Sequence, residues 1–128
     1  MAQVKIYAFR TVLENHRETV SDAIHAAIVE ALQYPIEKRF HRFFPLEPED
    51  FVFPSDRSDH YLVLEITMFE GRSVDAKKKL IRTLFERLEP LGFSGQDVEI
   101  VILESPRHNW GIRGVPGDEL GLSYRVEV

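Results

Sequence analysis

The sequence contains no cysteine, which excludes disulfides, zinc–thiolate centres and thiol nucleophiles. It has no excess of positive charge. Sixteen Lys and Arg face 21 Asp and Glu, a formal net charge of −5, so no global electrostatic pull draws it to nucleic acid or to an anionic membrane. No apolar run approaches the ~20 residues that span a bilayer. The opening residues Met1 to Lys5 lack the basic region and apolar stretch of a signal peptide, and a cytoplasmic protein is the expectation. Also missing are a glycine-rich phosphate loop, a Gly-x-Ser-x-Gly elbow and an HExxH pair. His16, His25, His41, His60 and His108 show no metal-ligand spacing. The sequence therefore implies no cofactor and no metal.

What is present is 128 residues, 44% hydrophobic and 29% charged, the balance of a globular domain long enough to bury a core. Val4 to Phe9 alternates with the two-residue period of a strand. Asn15 and Glu18 form a candidate capping box, followed by an apolar helical stripe of Val20, Ile24, Ala27, Ile28, Ala31 and Leu32 that stops before Pro35. Arg39 to Phe44 reads as a second strand. The connection from Pro45 to Ser58 includes Phe51-Val52-Phe53 as a possible short edge strand. Tyr61 to Phe69 is a strand, and Ser73 is the expected N-cap of a helix carrying Leu80, Ile81, Leu84, Phe85 and Leu88. That helix ends at Pro90-Leu91-Gly92. Val98 to Leu103 is a strand, a polar loop runs from Ser105 to Gly117, and Ser123 to Val128 reads as a short terminal strand.

Val4 and Leu64, Ile6 and Ile66, Val20 and Leu80, Ile24 and Leu84, and Ile28 and Leu88 are all separated by one common offset. Strand phase and helix phase repeat together. This predicts a duplicated β-α-β unit, with pseudo-repeats at about 2–58 and 59–128 of a single α+β domain: four strands with two helices on one face. Tyr7, Phe9, Phe43, Val63 and Phe69 are then expected on the other face, where self-association would cover them.

Two segments carry candidate chemistry. Glu70-Gly71-Arg72-Ser73 sets an arginine where a strand meets a helix, a place suited to holding a carboxylate. Asn109-Trp110-Gly111-Ile112-Arg113-Gly114 sets the only tryptophan beside a second arginine. With the strand Leu64 to Phe69 and the strand Val98 to Glu104, these motifs resemble a 4-oxalocrotonate tautomerase subunit. The whole chain is similar to the longer branch of the tautomerase superfamily that includes malonate semialdehyde decarboxylase. The resemblance implies a homotrimer acting on a small keto or enol carboxylic acid. In that family an amino-terminal proline, exposed by removal of methionine, is the general base, and arginines grip the substrate.

The proline position falls at Ala2, an acidic position of the decarboxylase branch falls near Lys38, and a further arginine position falls at Glu70. The resemblance thus points to Ala2 and Arg72 as catalytic residues and to Arg39, Trp110 and Arg113 as substrate-binding residues, with Arg42 a further candidate in the same segment. A free Ala2 amine would titrate near ~7.7–8.0 in water, and lower in an apolar pocket beside Arg72. With Met1 retained, the Ala2 nitrogen is an amide. Three readings follow: a tautomerase-like protein with weak or altered proton transfer; a non-catalytic homotrimer that binds a ligand or is structural; and an RNA-binding sheet. The last lacks the aromatic RNP signature and has the wrong sign of charge.

Overall fold

The computed structural model describes residues 1–128. Strand β1 (Ala2–Phe9) leads directly into helix α1 (Arg10–Leu32), and β2 (His41–Leu46) returns parallel to β1. Strand β3 (Leu62–Phe69), helix α2 (Val74–Leu88) and β4 (Val98–Ser105) repeat the pattern, with β4 parallel to β3. The two units join through an antiparallel β1/β3 pair, so the sheet order is β2-β1-β3-β4. A small hairpin, β5 (Gly111–Ile112) and β6 (Val115–Pro116), follows β4.

The two-residue period decides the layers. Ala2, Val4, Ile6 and Ala8 alternate with half-exposed neighbours and are buried, as are Leu62, Leu64, Ile66 and Met68. These residues meet Val20, Ile24 and Ile28 of α1 and Leu80, Leu84 and Leu88 of α2 in one core. Each fully buried Leu or Ile contributes about 1.5–3 kcal/mol over an exposed one, so a slip of one residue in either central strand would be strongly disfavoured.

Helix α1 starts earlier than the capping signal suggested. Asn15 lies inside it and donates from Nδ2 to the Thr11 carbonyl at 3.3 Å, while Phe9 stands at the N-cap with no side-chain bond. Burial of Val12 and Leu13 and the Arg10–Glu14 ion pair at 2.6 Å favour the extra turn. Together they outweigh a cap worth about 1 kcal/mol. Helix α2 begins as expected, with the Ala76 amide donating to Ser73 Oγ at 3.1 Å.

Three other expectations are corrected. Phe43 pairs with Ile6 and packs on the helix-covered side, whereas Phe44 pairs with Tyr7 on the open side, their rings stacked at 4.7 Å. Phe51-Val52-Phe53 forms no strand. The Phe51 and Phe53 rings instead pack on Phe9, each at 5.6 Å, and on Tyr61. Ser123–Val128 forms no strand either, although Val126 is buried and the Val128 carbonyl accepts from the Ser73 amide at 3.2 Å. The open face is mixed: Lys5 sits opposite Glu65 and Gln3 opposite Thr67, while Val101 and Leu103 are exposed apolar groups on the edge strand.

Candidate active site

Antiparallel pairing of β1 with β3 places the start of the chain beside the end of β3. Ala2 pairs with Met68, and the Phe69 amide donates to the Met1 carbonyl at 3.2 Å. Beyond Phe69 the backbone turns through Gly71, whose φ of +129° is open to glycine and costly for other residues. A Cβ there would also come within 3.0 Å of Val126 Cγ1. The glycine thus lets the C-terminal segment lie against the turn that carries Arg72.

Arg72 is only 5% exposed. Its Nη1 donates to the Phe69 carbonyl at 3.2 Å, while Nε and Nη2 are buried without any partner. Burial pushes its pKa down, and the nearby hydroxyls of Tyr124 and Tyr34 oppose that shift. A guanidinium with two unsatisfied donors is held at a cost in free energy and is a ready receptor for a carboxylate.

The Met1 amino group donates to the Tyr124 hydroxyl. It is held at about 4, far below its ordinary 8.0, first by burial and then by the positive charges of Arg72, Lys38 and Arg107. The Ala2 amide donates to the Tyr34 hydroxyl at 3.2 Å. Tyr34 and Tyr124 meet edge to face at 5.1 Å, and the Lys38 ammonium lies 5.4 Å from the centre of the Tyr124 ring. Burial raises the pKa of both phenols, so they are protonated at neutral pH.

Phe69 connects this cluster to the tryptophan. Its ring meets Trp110 edge to face at 5.1 Å, and the Arg107 guanidinium lies 5.6 Å above it. Arg107 also donates to the Gly117 and Leu120 carbonyls, the latter at 2.9 Å, and so fixes the loop after β4. Trp110 Nε1 is buried and unpartnered.

Of the residues singled out in the sequence, Ala2, Arg72 and Trp110 are therefore brought to one region. Arg39 is not. It bonds Asp22 at 2.6 Å and Ser21 at 3.3 Å on α1. Arg113 is exposed in the β5–β6 turn with a left-handed φ of 51°, and Arg42 bonds Gln3 on the open face. Sequence reasoning missed Tyr34, Tyr124 and Arg107 and gave Lys38 no role in the site. Tyr34 lay just past the apolar stripe of the first helix and Tyr124 within the stretch expected as a terminal strand, so neither gave a signal of a site.

A second polar cluster joins α1 to β2. Ser21 Oγ and His41 Nδ1 are hydrogen-bonded at 2.8 Å, and His25 Nε2 donates to the Ile36 carbonyl at 2.6 Å. His41 Nε2 is buried without a partner. Burial, then His25 and Arg39, lower the His41 pKa to about 4.

The sequence matches the family described as tautomerase enzyme over residues 38–113, which is more than half of the chain. The chain belongs to this tautomerase family. It is 41% identical over 58 residues to the 2-hydroxymuconate tautomerase of Comamonas testosteroni, a match covering 44% of this chain and 92% of that one. In fold, this tautomerase-family chain is similar to malonate semialdehyde decarboxylase, with a TM-score of 0.81, 24% identity, and 92% and 99% of the two chains covered. A fused 4-OT solved as an asymmetric trimer is also similar, with a TM-score of 0.81, 19% identity, and 94% and 99% covered.

Proposed function

We propose that the chain binds a small keto or enol carboxylic acid at Arg72 and moves a proton between its oxygen and carbon with the amino group at the start of β1. The observation that carries this reading is the buried Arg72 fork, with Nε and Nη2 unpartnered beside that amine. The arginine would hold the carboxylate and stabilise developing enolate charge. A neutral amine would take the enol proton and return it to carbon. If Met1 is removed, Ala2 supplies the amine, close to the Tyr34 hydroxyl that its amide now reaches. If Met1 is retained, its own amine fills the role. Trp110, with Phe69, would form an apolar wall. Arg39 and Arg113 lie away from this cluster, so a part for them in substrate binding requires a contribution across subunits.

We also propose a homotrimer built from the duplicated unit, with the exposed Val101 and Leu103 edge in contact between subunits. Sedimentation equilibrium at micromolar concentration tests it, and a stable monomer would remove both the assembly and any site shared between subunits.

The decisive experiment couples intact mass, which identifies the amine-bearing residue, with ketonisation of phenylenolpyruvate by wild type and Arg72→Ala. Turnover that depends on Arg72 supports the reading. If the wild type neither turns over nor binds the enol acid, the reading fails and the structural alternative stands. The specific observation behind that alternative is that none of the surface cavities borders Met1, Arg72 or Tyr124.

A further inference from the structure

The group that fills the space beside Arg72 belongs to the chain itself. Tyr124 presents a planar ring and a hydroxyl to the amino group of Met1, stands edge to face with Tyr34, and carries the Lys38 cation over its face. Its segment contains no helix or strand. Apart from these contacts of Tyr124 itself, two anchors tie it down: Val126 buried against Gly71, and the Ser73 amide bonded to the Val128 carbonyl. Both anchors sit on the turn that carries Arg72, so the segment seats where the carboxylate receptor is. A phenol is an enol locked in an aromatic ring. It meets the amine through its oxygen, yet it brings no carboxylate, which matches the two empty nitrogens of Arg72.

From this arrangement we infer that Tyr124 is a tethered occupant of the site, standing where a planar enol or phenol ligand stands, and that the C-terminal segment 123–128 must move aside for such a ligand to bind. This rests on the reading of the site as one for enol acids. The closed form lowers apparent affinity by the fraction of molecules that are open. It also keeps water away from a desolvated amine while the site is empty. Lys38 and Tyr34, which flank the phenol ring, are then the contacts a displacing ligand would inherit.

The test uses p-cresol, the side chain of tyrosine as a free molecule, so that binding is read without catalysis. Calorimetry on Tyr124→Ala should show p-cresol binding about tenfold or more tighter than in the wild type, as expected where a half-buried aromatic vacates its place against the core. In a parallel assay, the apparent KM of Tyr124→Ala for phenylenolpyruvate should fall. If a folded Tyr124→Ala gains no p-cresol affinity, the occupant proposal is wrong, even where turnover of the enol acid persists. If p-cresol binds but no variant turns over the enol acid, the occupant stands and the catalytic reading fails. Loss of kcat at unchanged KM would make Tyr124 a working part of the site and overturn its role as occupant. The wild type supplies an independent measurement should the variant not fold. At a pH above 8, where both amines are unprotonated, reductive methylation of its α-amine should be much slower than that of a peptide of the same first ten residues, and an equal rate would show that nothing covers the amine.

Discussion

The amino group of Met1 donates a hydrogen bond to the hydroxyl of Tyr124, a residue 123 positions away in the chain. Both ends of the sequence thus meet at Arg72, and neither end alone explains the state of the amine. Burial and three surrounding cations favour the uncharged form, and the phenol oxygen accepts one of its protons. An α-amine in water would be protonated at neutral pH and unable to act as a base.

The amine should therefore titrate with a midpoint near 4 rather than 8. Its folded value is depressed, so between those pH values the unfolded chain binds a proton that the folded chain does not. Stability should rise with pH across that window, and this contribution should be lost as pH falls from 8 to 4. Selective isotopic labelling of the α-amine and NMR titration measure the midpoint. A value close to 8 would mean that the amine faces water.

Arg72→Met should stabilise the unliganded protein, because it removes a buried charge with two unpartnered nitrogens. Such unsatisfied groups cost about 1–3 kcal/mol, offset in part by loss of the bond to the Phe69 carbonyl. The same change should weaken binding of small keto acids by ~1.5–3 kcal/mol, and Arg72→Lys should restore charge without the two-pronged geometry. Urea unfolding and calorimetry read the two effects separately. A lower urea midpoint together with unchanged affinity would mark Arg72 as purely structural.

Ala2→Pro, with Met1 removed, should raise phenylenolpyruvate ketonisation above the wild type. A secondary amine at this place would act as a general base, and such groups typically contribute ~10²–10⁴-fold. The double variant Ala2→Pro/Arg72→Ala should lose the gain. Mass spectrometry must establish the N-terminus of each protein. A correctly processed Ala2→Pro no faster than wild type would show that the base alone is not what limits the site.

His41 should contribute to acid sensitivity. Its folded pKa is lowered to about 4 from 6.5, so the unfolded chain protonates first, and stability should fall as pH drops between those values. The groups facing it are Ser21, Asp22 and His25 from α1 and Arg39 from the approach to β2. His41→Gln should flatten the slope of stability against pH between 6.5 and 4. Denaturant titrations at several pH values decide it, and an unaltered slope would assign the acid sensitivity to other groups.

The sequence by itself determined the two β-α-β units, because periods of two and 3.6 residues are local and survive in any context that buries one face. It also determined the Ser73 cap, since capping depends on neighbouring residues alone. Ala2, Arg72 and Trp110 were legible through motif positions. The tertiary structure decided the rest. Phe43 lies on the helix-covered face and not on the open one as expected, because register on an edge strand is set by its partner, β1. Asn15 was passed over because burial of Val12 and Leu13 outweighed a local cap. Arg39 was drawn to Asp22 while Lys38, one residue earlier, reached the Tyr124 ring. Tyr34, just past the α1 stripe, and Tyr124, in a stretch expected as a strand that does not form, became neighbours because antiparallel pairing of β1 with β3 brings the chain start to the Arg72 turn and Val126 anchors the chain end there. Contacts between residues so distant in sequence arise only when the whole sheet is assembled, and no local signal encodes them.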